Sequence, residues 1–202
     1  MPMKLTFGTM RLSVLCFLAS LVLPSLSQAQ VPVISITPDD SSVTFYVKAS
    51  VKLVGTFKKW DSTLTFTSTD PTTGALDIKI QADSVSTGSD MKDGKLKSKE
   101  FFDVQHDPLI TFKSTKIVPT GANTYDVQGD FTIRGVTKPE TLQLTVSGQG
   151  TGSGGIKGTM AFDRKDYGMT HGIPFVTIAD RIEVTVDLKG KRVSGPPLVF
   201  KQ

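Results

Sequence analysis

Cysteine and histidine are nearly missing from this chain: its 202 residues contain one cysteine and two histidines. The cysteine, Cys16, lies in an apolar run from Leu12 to Leu23, behind Lys4 and Arg11 and ahead of Pro24. With Ser27 and Ala29 at the small positions before a cut, that arrangement predicts a secretory leader over residues 1–29, its apolar part too short to span a bilayer. Leu15 stands where a lipid-modified leader needs a small residue, so Cys16 reads as filling of the apolar run and not as an acylation site. The exported chain is then expected to hold no cysteine, which excludes disulfides, thiol catalysis and thiolate metal sites.

His106, beside Asp107-Pro108, and His171, in the loop from Tyr167 to Asp180, have no further ligand at a metal-site spacing, so neither a metal nor a cofactor is predicted. Also missing are a G-x-S-x-G elbow, a phosphate-cradling glycine loop leading into a helix, and a serine beside a plausible base. The sequence therefore predicts no enzyme. The net charge of +4 falls when the leader's Lys4 and Arg11 are set aside, leaving 21 basic against 19 acidic residues. No basic stripe interleaves with aromatics, so nucleic acid is not an expected partner. Nor is stable membrane insertion. The cluster Lys92, Lys95, Lys97 and Lys99 is balanced by Asp90, Asp93 and Glu100 and reads as a solvated face.

What is present is alternation. Val43, Phe45 and Val47 share one side of a strand opposite Thr44, Tyr46 and Lys48; Leu53, Gly55 and Phe57 continue the period, as do Leu64 with Phe66 and Leu76, Ile78, Ile80 and Ala82. Ile110 and Phe112 follow, then Tyr125, Val127, Gly129, Phe131 and Ile133, then Leu142, Leu144 and Val146. Ile156, Gly158, Met160 and Phe162 come next, and Ile182, Val184, Val186 and Leu188 form the last such face. Val31 to Thr37, with Pro32 near its start, suits an edge. Nine or ten half-buried antiparallel strands in one all-β domain are predicted. One apolar face per strand implies a sandwich or a sheet closed into a barrel. Glycines inside strands, at Gly55, Gly129 and Gly158, favour the barrel by marking bends. A barrel of eight strands can be filled by side chains or hold one small ligand, and periodicity leaves both open. Gly148 to Gly155 reads as a flexible hairpin tip, and residues 191–202 as an aperiodic tail.

The alternation is interrupted between Ser89 and Ser114. Met91, Leu96, Phe101 and Phe102 among many charges predict one or two short helices, with Ser89 or Asp90 as N-cap and Asp107-Pro108 as the stop. Phe101 and Phe102 could plug the mouth of a β-structure, or complete an ordinary filled core. A second irregularity is Arg164, which counting in twos from Met160 and Phe162 places on the apolar side. A buried cation needs a partner, and Asp166, or Asp103 and Glu100, would supply one. Arg164 and Asp166 would then either meet a ligand's head group or form an internal latch.

From about Ser41 to Leu188 the chain resembles the YceI-like family of bacterial exported proteins, described as polyisoprenoid-binding and lipocalin-like. The resemblance is carried by SVTFYV, VGTF, SVSTGSDMKDGKLKSKEFFDVQHDPLITFKST, GDFTIRGVTKPETLQLTV, FDRKDYGM and IADRIEVTVDL. The chain departs at Lys48-Ala49-Ser50, where many relatives carry a histidine, so no role of that histidine carries over. The resemblance implies a single antiparallel β-barrel of about eight strands over residues 30–190, extended and lipocalin-like, with the short helical insertion capping it. It implies a hollow interior for a long-chain apolar molecule, an isoprenoid or fatty-acyl chain, carried in the periplasm. Each buried methylene contributes about 0.8 kcal/mol, so about twenty carbons give on the order of 16 kcal/mol gross against association costs of about 4 to 15 kcal/mol. The tunnel wall is expected to comprise Phe45, Leu64, Phe66, Ile78, Ile80, Phe112, Phe131, Met160, Phe162 and Val184, with Phe101 and Phe102 sealing an end. A filled-core exported structural or interaction module is the alternative. A homodimer is compatible with either.

Overall fold

Strands with one apolar face cannot leave that face in water, and here the sheet rolls up until those faces meet. The computed structural model describes residues 30–51, 53–172 and 175–200; the expected leader with Cys16 lies outside them. The strands are β1 (Val33–Ile36), β2 (Ser42–Ala49), β3 (Leu53–Phe57), β4 (Trp60–Phe66), β5 (Gly74–Gln81), β6 (Val85–Ser86), β7 (Leu109–Pro119), β8 (Thr124–Ile133), β9 (Val136–Ser147), β10 (Ser153–Asp163) and β11 (Ile178–Ser194). One α-helix, α1 (Asp90–Lys97), interrupts them. The hydrogen-bonded order is β4-β5-β7-β8-β9-β10-β11-β2-β3-β6, every pairing antiparallel. β1 pairs with the far half of β11 and packs against β4 across the seam.

The described residues form eleven strands where the family resemblance implied about eight. The excess comes from short pieces. β6 has two residues, joined to β3 only at Thr56–Ser86 and Phe57–Val85, and a segment that short shows no period. β1 is the edge strand that Pro32 suggested, and Lys58 and Lys59 break what would be one long strand into β3 and β4. β11 also runs on to Ser194, past the expected start of the tail at residue 191. Its last residues pair with β1 and β10 but are exposed from Lys191 to Ser194, so they present no apolar face to count.

The inward residues form one continuous core in which Val43, Val127, Leu142 and Leu188 are almost wholly buried. The in-strand glycines were expected to mark bends, and the structure adds a steric reason for them. A Cβ on Gly158 would lie 2.6 Å from both Leu144 Cδ2 and Val186 Cγ2, far inside contact distance. A Cβ on Gly129 would lie 2.7 Å from Phe112 Cζ, opposite the irregularity between Ser114 and Lys116 in β7. These glycines make room for large neighbours at mid-height.

α1 buries only Leu96 and leaves Met91 81% exposed, so Met91 does not join the apolar set that the sequence suggested. Ser89 is the N-cap residue, yet its side chain makes no cap hydrogen bond. Asp93 Oδ1 instead accepts from the Thr87 backbone N–H at 2.8 Å and from the Thr87 hydroxyl at 2.6 Å, tying the helix to the end of β6. The chain then drops Phe101 and Phe102 into the barrel, both under a tenth exposed, and turns away through Asp103, whose φ is 51°.

Candidate functional site: two apolar cavities in one barrel

Among the described residues, the inward half of the strands lines a cavity at each end of the barrel, with no wall residue in common. The first, about 60 Å³, lies at the helix end, where α1, the β8–β9 turn and the loop between β10 and β11 gather. Its wall includes Phe45, Ile80, Phe131, Phe162 and Val184, with Phe101 and Phe102 from the helical insertion. Phe102 meets Phe45 and Phe57 with ring centroids 6.1 and 5.8 Å away. Phe131, Phe162 and Tyr167 form a second cluster with centroids 5.1 to 5.4 Å apart.

Polar groups are embedded in this end. Arg164 is 5% exposed, as counting in twos implied. Its partner is Asp180, 3.1 Å from Nη2, and not Asp166, Asp103 or Glu100. The same guanidinium donates to the backbone carbonyls of Met169, His171 and Ala179, the geometry of an internal latch, and Arg164 also lines the 60 Å³ cavity. Asp166 faces outward and pairs with Lys138 at 3.2 Å; Asp103 pairs with His106 at 2.8 Å, and Glu100 with Lys95. Asp180 also receives Lys165 Nζ at 2.7 Å, and Lys165 first, then Arg164, hold its carboxyl below the usual carboxylate range.

Tyr167 is fully buried and its hydroxyl donates to Glu140 Oε1 at 2.9 Å; burial, aided by that carboxylate, pushes the phenol well above its ordinary value. Arg134, at φ 53°, donates to the Tyr167 carbonyl and, at 3.0 Å, to the Lys99 carbonyl, fastening the helical insertion to the β8–β9 turn.

The second cavity, about 140 Å³, lies at the opposite end and is larger and plainer. Leu64 and Phe66, both expected wall residues, face Tyr125, Leu144 and Ile156 across it, and the backbone of the glycine-rich β9–β10 hairpin forms one side. Residues 197, 198 and 200 of the tail complete the wall. Leu198 and Phe200 are half-buried while Pro197 and Val199 are exposed, and the Val199 N–H donates to the Thr69 carbonyl at 2.8 Å.

The remaining expected wall residues, Ile78, Phe112 and Met160, line neither cavity. Along β5 the order is Leu76 at the tail end, Ile78, then Ile80 at the helix end; Phe112 in β7 and Met160 in β10 hold the same middle position. All three are buried, and they form a waist where the resemblance implied one uninterrupted tunnel. Tyr125, Val127, Leu144 and Ile156 were legible as members of inward faces but were not singled out. Leu198 and Phe200 stand in a segment too short and proline-rich to declare a face. Among the described residues no three metal-ligating side chains come together, and no helix is long and apolar enough to cross a membrane.

Against known proteins, a model of the YceI-like domain matches residues 35–190. A UPF0312 protein of Pseudomonas savastanoi pv. phaseolicola is 35% identical over 120 residues, which cover 57% of this chain and 62% of that protein. Protein YceI of Salmonella paratyphi B is 40% identical over 98 residues, covering 48% of this chain and 51% of that one. The chain thus spans less than two thirds of the length of either relative. Among solved structures, BcnA of Burkholderia cenocepacia superposes with a TM-score of 0.70 at 26% identity, over 77% of this chain and 99% of that one. A polyisoprenoid binding domain from Saccharophagus degradans, implicated in plant cell wall breakdown, shares the fold with a TM-score of 0.64 at 18% identity, over 80% and 99%.

Proposed function

Since the chain belongs to the YceI-like family, we propose that it is a binding or carrier protein for a long apolar molecule, of isoprenoid or fatty-acyl type, held inside the barrel. In this reading residues 1–29 export it and it works in the periplasm. Binding requires no catalytic group, because burial of the chain in an apolar interior supplies the affinity. The observation that carries the reading is the 140 Å³ cavity at the tail end, its wall built mainly from aliphatic and aromatic side chains and glycine backbone, with Ser147, Gln149, Ser153 and Arg192 among them. The name of the Saccharophagus domain, which has the same fold, points to the same ligand class.

Size sharpens the proposal. An apolar cavity of about 150 Å³ holds one benzene-sized molecule, so the tail-end cavity receives one end of a long chain. The rest is accommodated by displacing neighbours, and Met160 at the waist is a flexible, unbranched side chain suited to that. Arg164 serves as the latch described above, its donors directed at Asp180 and three backbone carbonyls. The packed waist favours a second reading, a filled-core structural or interaction module. Organic extraction of the purified exported protein followed by mass spectrometry separates the two. A copurifying or exchangeable isoprenoid or acyl lipid is expected; its absence from the protein, together with failure to take up added lipid, selects the module.

A further inference from the structure

The tail crosses the mouth of the larger cavity with the construction of a hinged strap. β11 ends at Ser194, and Gly195 follows at φ +76°, where a Cβ would lie 2.0 Å from the Val31 carbonyl oxygen. No other residue fits there, so the chain turns sharply at one point, and Arg192 Nη1 holds the Gly195 carbonyl. Pro196 and Pro197 then stiffen the next stretch. Leu198 and Phe200 face the cavity, and the Val199 N–H to the Thr69 carbonyl is a backbone hydrogen bond that holds them there. The strap lies beyond residue 190, outside the part of the chain that the YceI-like domain accounts for.

We propose that residues 195–200 are the gate of the barrel: an apolar chain enters and leaves at the tail end by lifting Leu198 and Phe200 from the cavity mouth. This rests on the binding reading above and says where and how the ligand passes. The helix end makes a poor passage, because opening it means pulling Phe102 out from between Phe45 and Phe57 and separating Arg134 from the Lys99 and Tyr167 carbonyls. At the tail end, lifting the strap parts half-buried apolar contacts and one backbone hydrogen bond, Val199 N–H to the Thr69 carbonyl, and strips no buried charge of its partner. The facing wall, Gly148 to Gly155, carries few side chains to obstruct a passing ligand. The displaced Leu198 and Phe200 also vacate the space that a chain longer than the cavity needs.

The test is stopped-flow exchange of two fluorescent probes, a pyrene-labelled fatty acid and a dansyl-labelled farnesol, on the exported protein and on the L198S/F200S variant, with circular dichroism as a check on folding. For whichever probe binds, the variant is expected to take it up and release it roughly tenfold faster, since closing the gate no longer buries two large apolar side chains. Unchanged rates in a folded variant overturn the gate while the carrier reading stands. The same holds if Arg134→Ala, which loosens the helix end, is the substitution that speeds exchange. Should the unaltered protein take up neither probe, the carrier reading fails and the gate with it.

Discussion

At the helix end the barrel surrounds about 60 Å³ with aromatic rings and a buried guanidinium, and a buried phenol lies close behind; at the tail end it surrounds about 140 Å³ mainly with aliphatic and aromatic side chains and glycine backbone. Each polar group at the helix end has to keep a directional partner once it leaves water, which permits few arrangements. Arg164 meets Asp180 and three carbonyls, and Tyr167 meets Glu140. Apolar contacts of the tail-end kind are non-directional, so they can part and re-form elsewhere at little cost beyond exposed area. One end is therefore built to stay shut and the other to yield.

The contrast is most exposed to attack at Phe102. Phe102→Ala removes the ring that joins Phe45 and Phe57, and a loss of roughly 3 to 4 kcal/mol in urea unfolding is expected. A loss under about 1 kcal/mol would mean that the rings do not hold that end. Arg164→Met comes next, at about 2 to 3 kcal/mol, below the roughly 3 to 5 kcal/mol usual for breaking a buried pair, because the Asp180 side chain is 38% exposed and can recover water. At the waist, Gly158→Ala forces a methyl group against Leu144 and Val186 and should cost about 1 to 2 kcal/mol by overpacking. Smallest is Phe200→Ala, a half-buried side chain on the strap, at about 1 kcal/mol or less. A loss at Phe200 as large as that at Phe102 would erase the distinction between the ends.

Titration tests the same distinction. Lys165 and Arg164 depress the Asp180 carboxyl in the folded state, so its contribution is present above the unfolded value near about 3.9 and is lost as pH falls through the lower folded value. Denaturation midpoints followed from neutral to acid pH should decline less steeply in Asp180→Asn than in the unaltered protein. Tyr167 acts in the opposite direction. Burial raises its phenol, so its contribution is present below the unfolded value near about 10 and is lost as pH rises towards the folded one. Tyr167→Phe should flatten the alkaline decline and leave the acid limb as it was.

The inward faces were legible because a strand's period is two and water enforces it: Val43, Phe45 and Val47, or Tyr125, Val127, Phe131 and Ile133, are buried as the alternation required. The same count found Arg164 inside, because the register of β10 carries on to the residue just past its last, Asp163. It could not find Asp180 as the partner, because that depends on how β11 pairs with the end of β10, where Arg181 stands opposite Asp163. Nor could it separate Leu64 and Phe66 from Ile80 and Phe162, since all four are simply inward, and height along the barrel axis is set by stagger between strands. Phe101 and Phe102 were visible as an apolar pair without an obvious strand, and the destination of Phe102 against Phe45 and Phe57 came from the fold.

Local chemistry alone determined that this chain makes an antiparallel sheet with one greasy side, interrupted by a short charged helix and carrying one arginine on the wrong side. Closure of the sheet decided the rest. It divided the interior at Ile78, Phe112 and Met160, gave Arg164 its carboxylate from another strand, and brought an unpatterned tail across an open mouth. Those outcomes belong to pairs of residues far apart along the chain, whose distances are set by strand stagger and sheet curvature, quantities that no local period records.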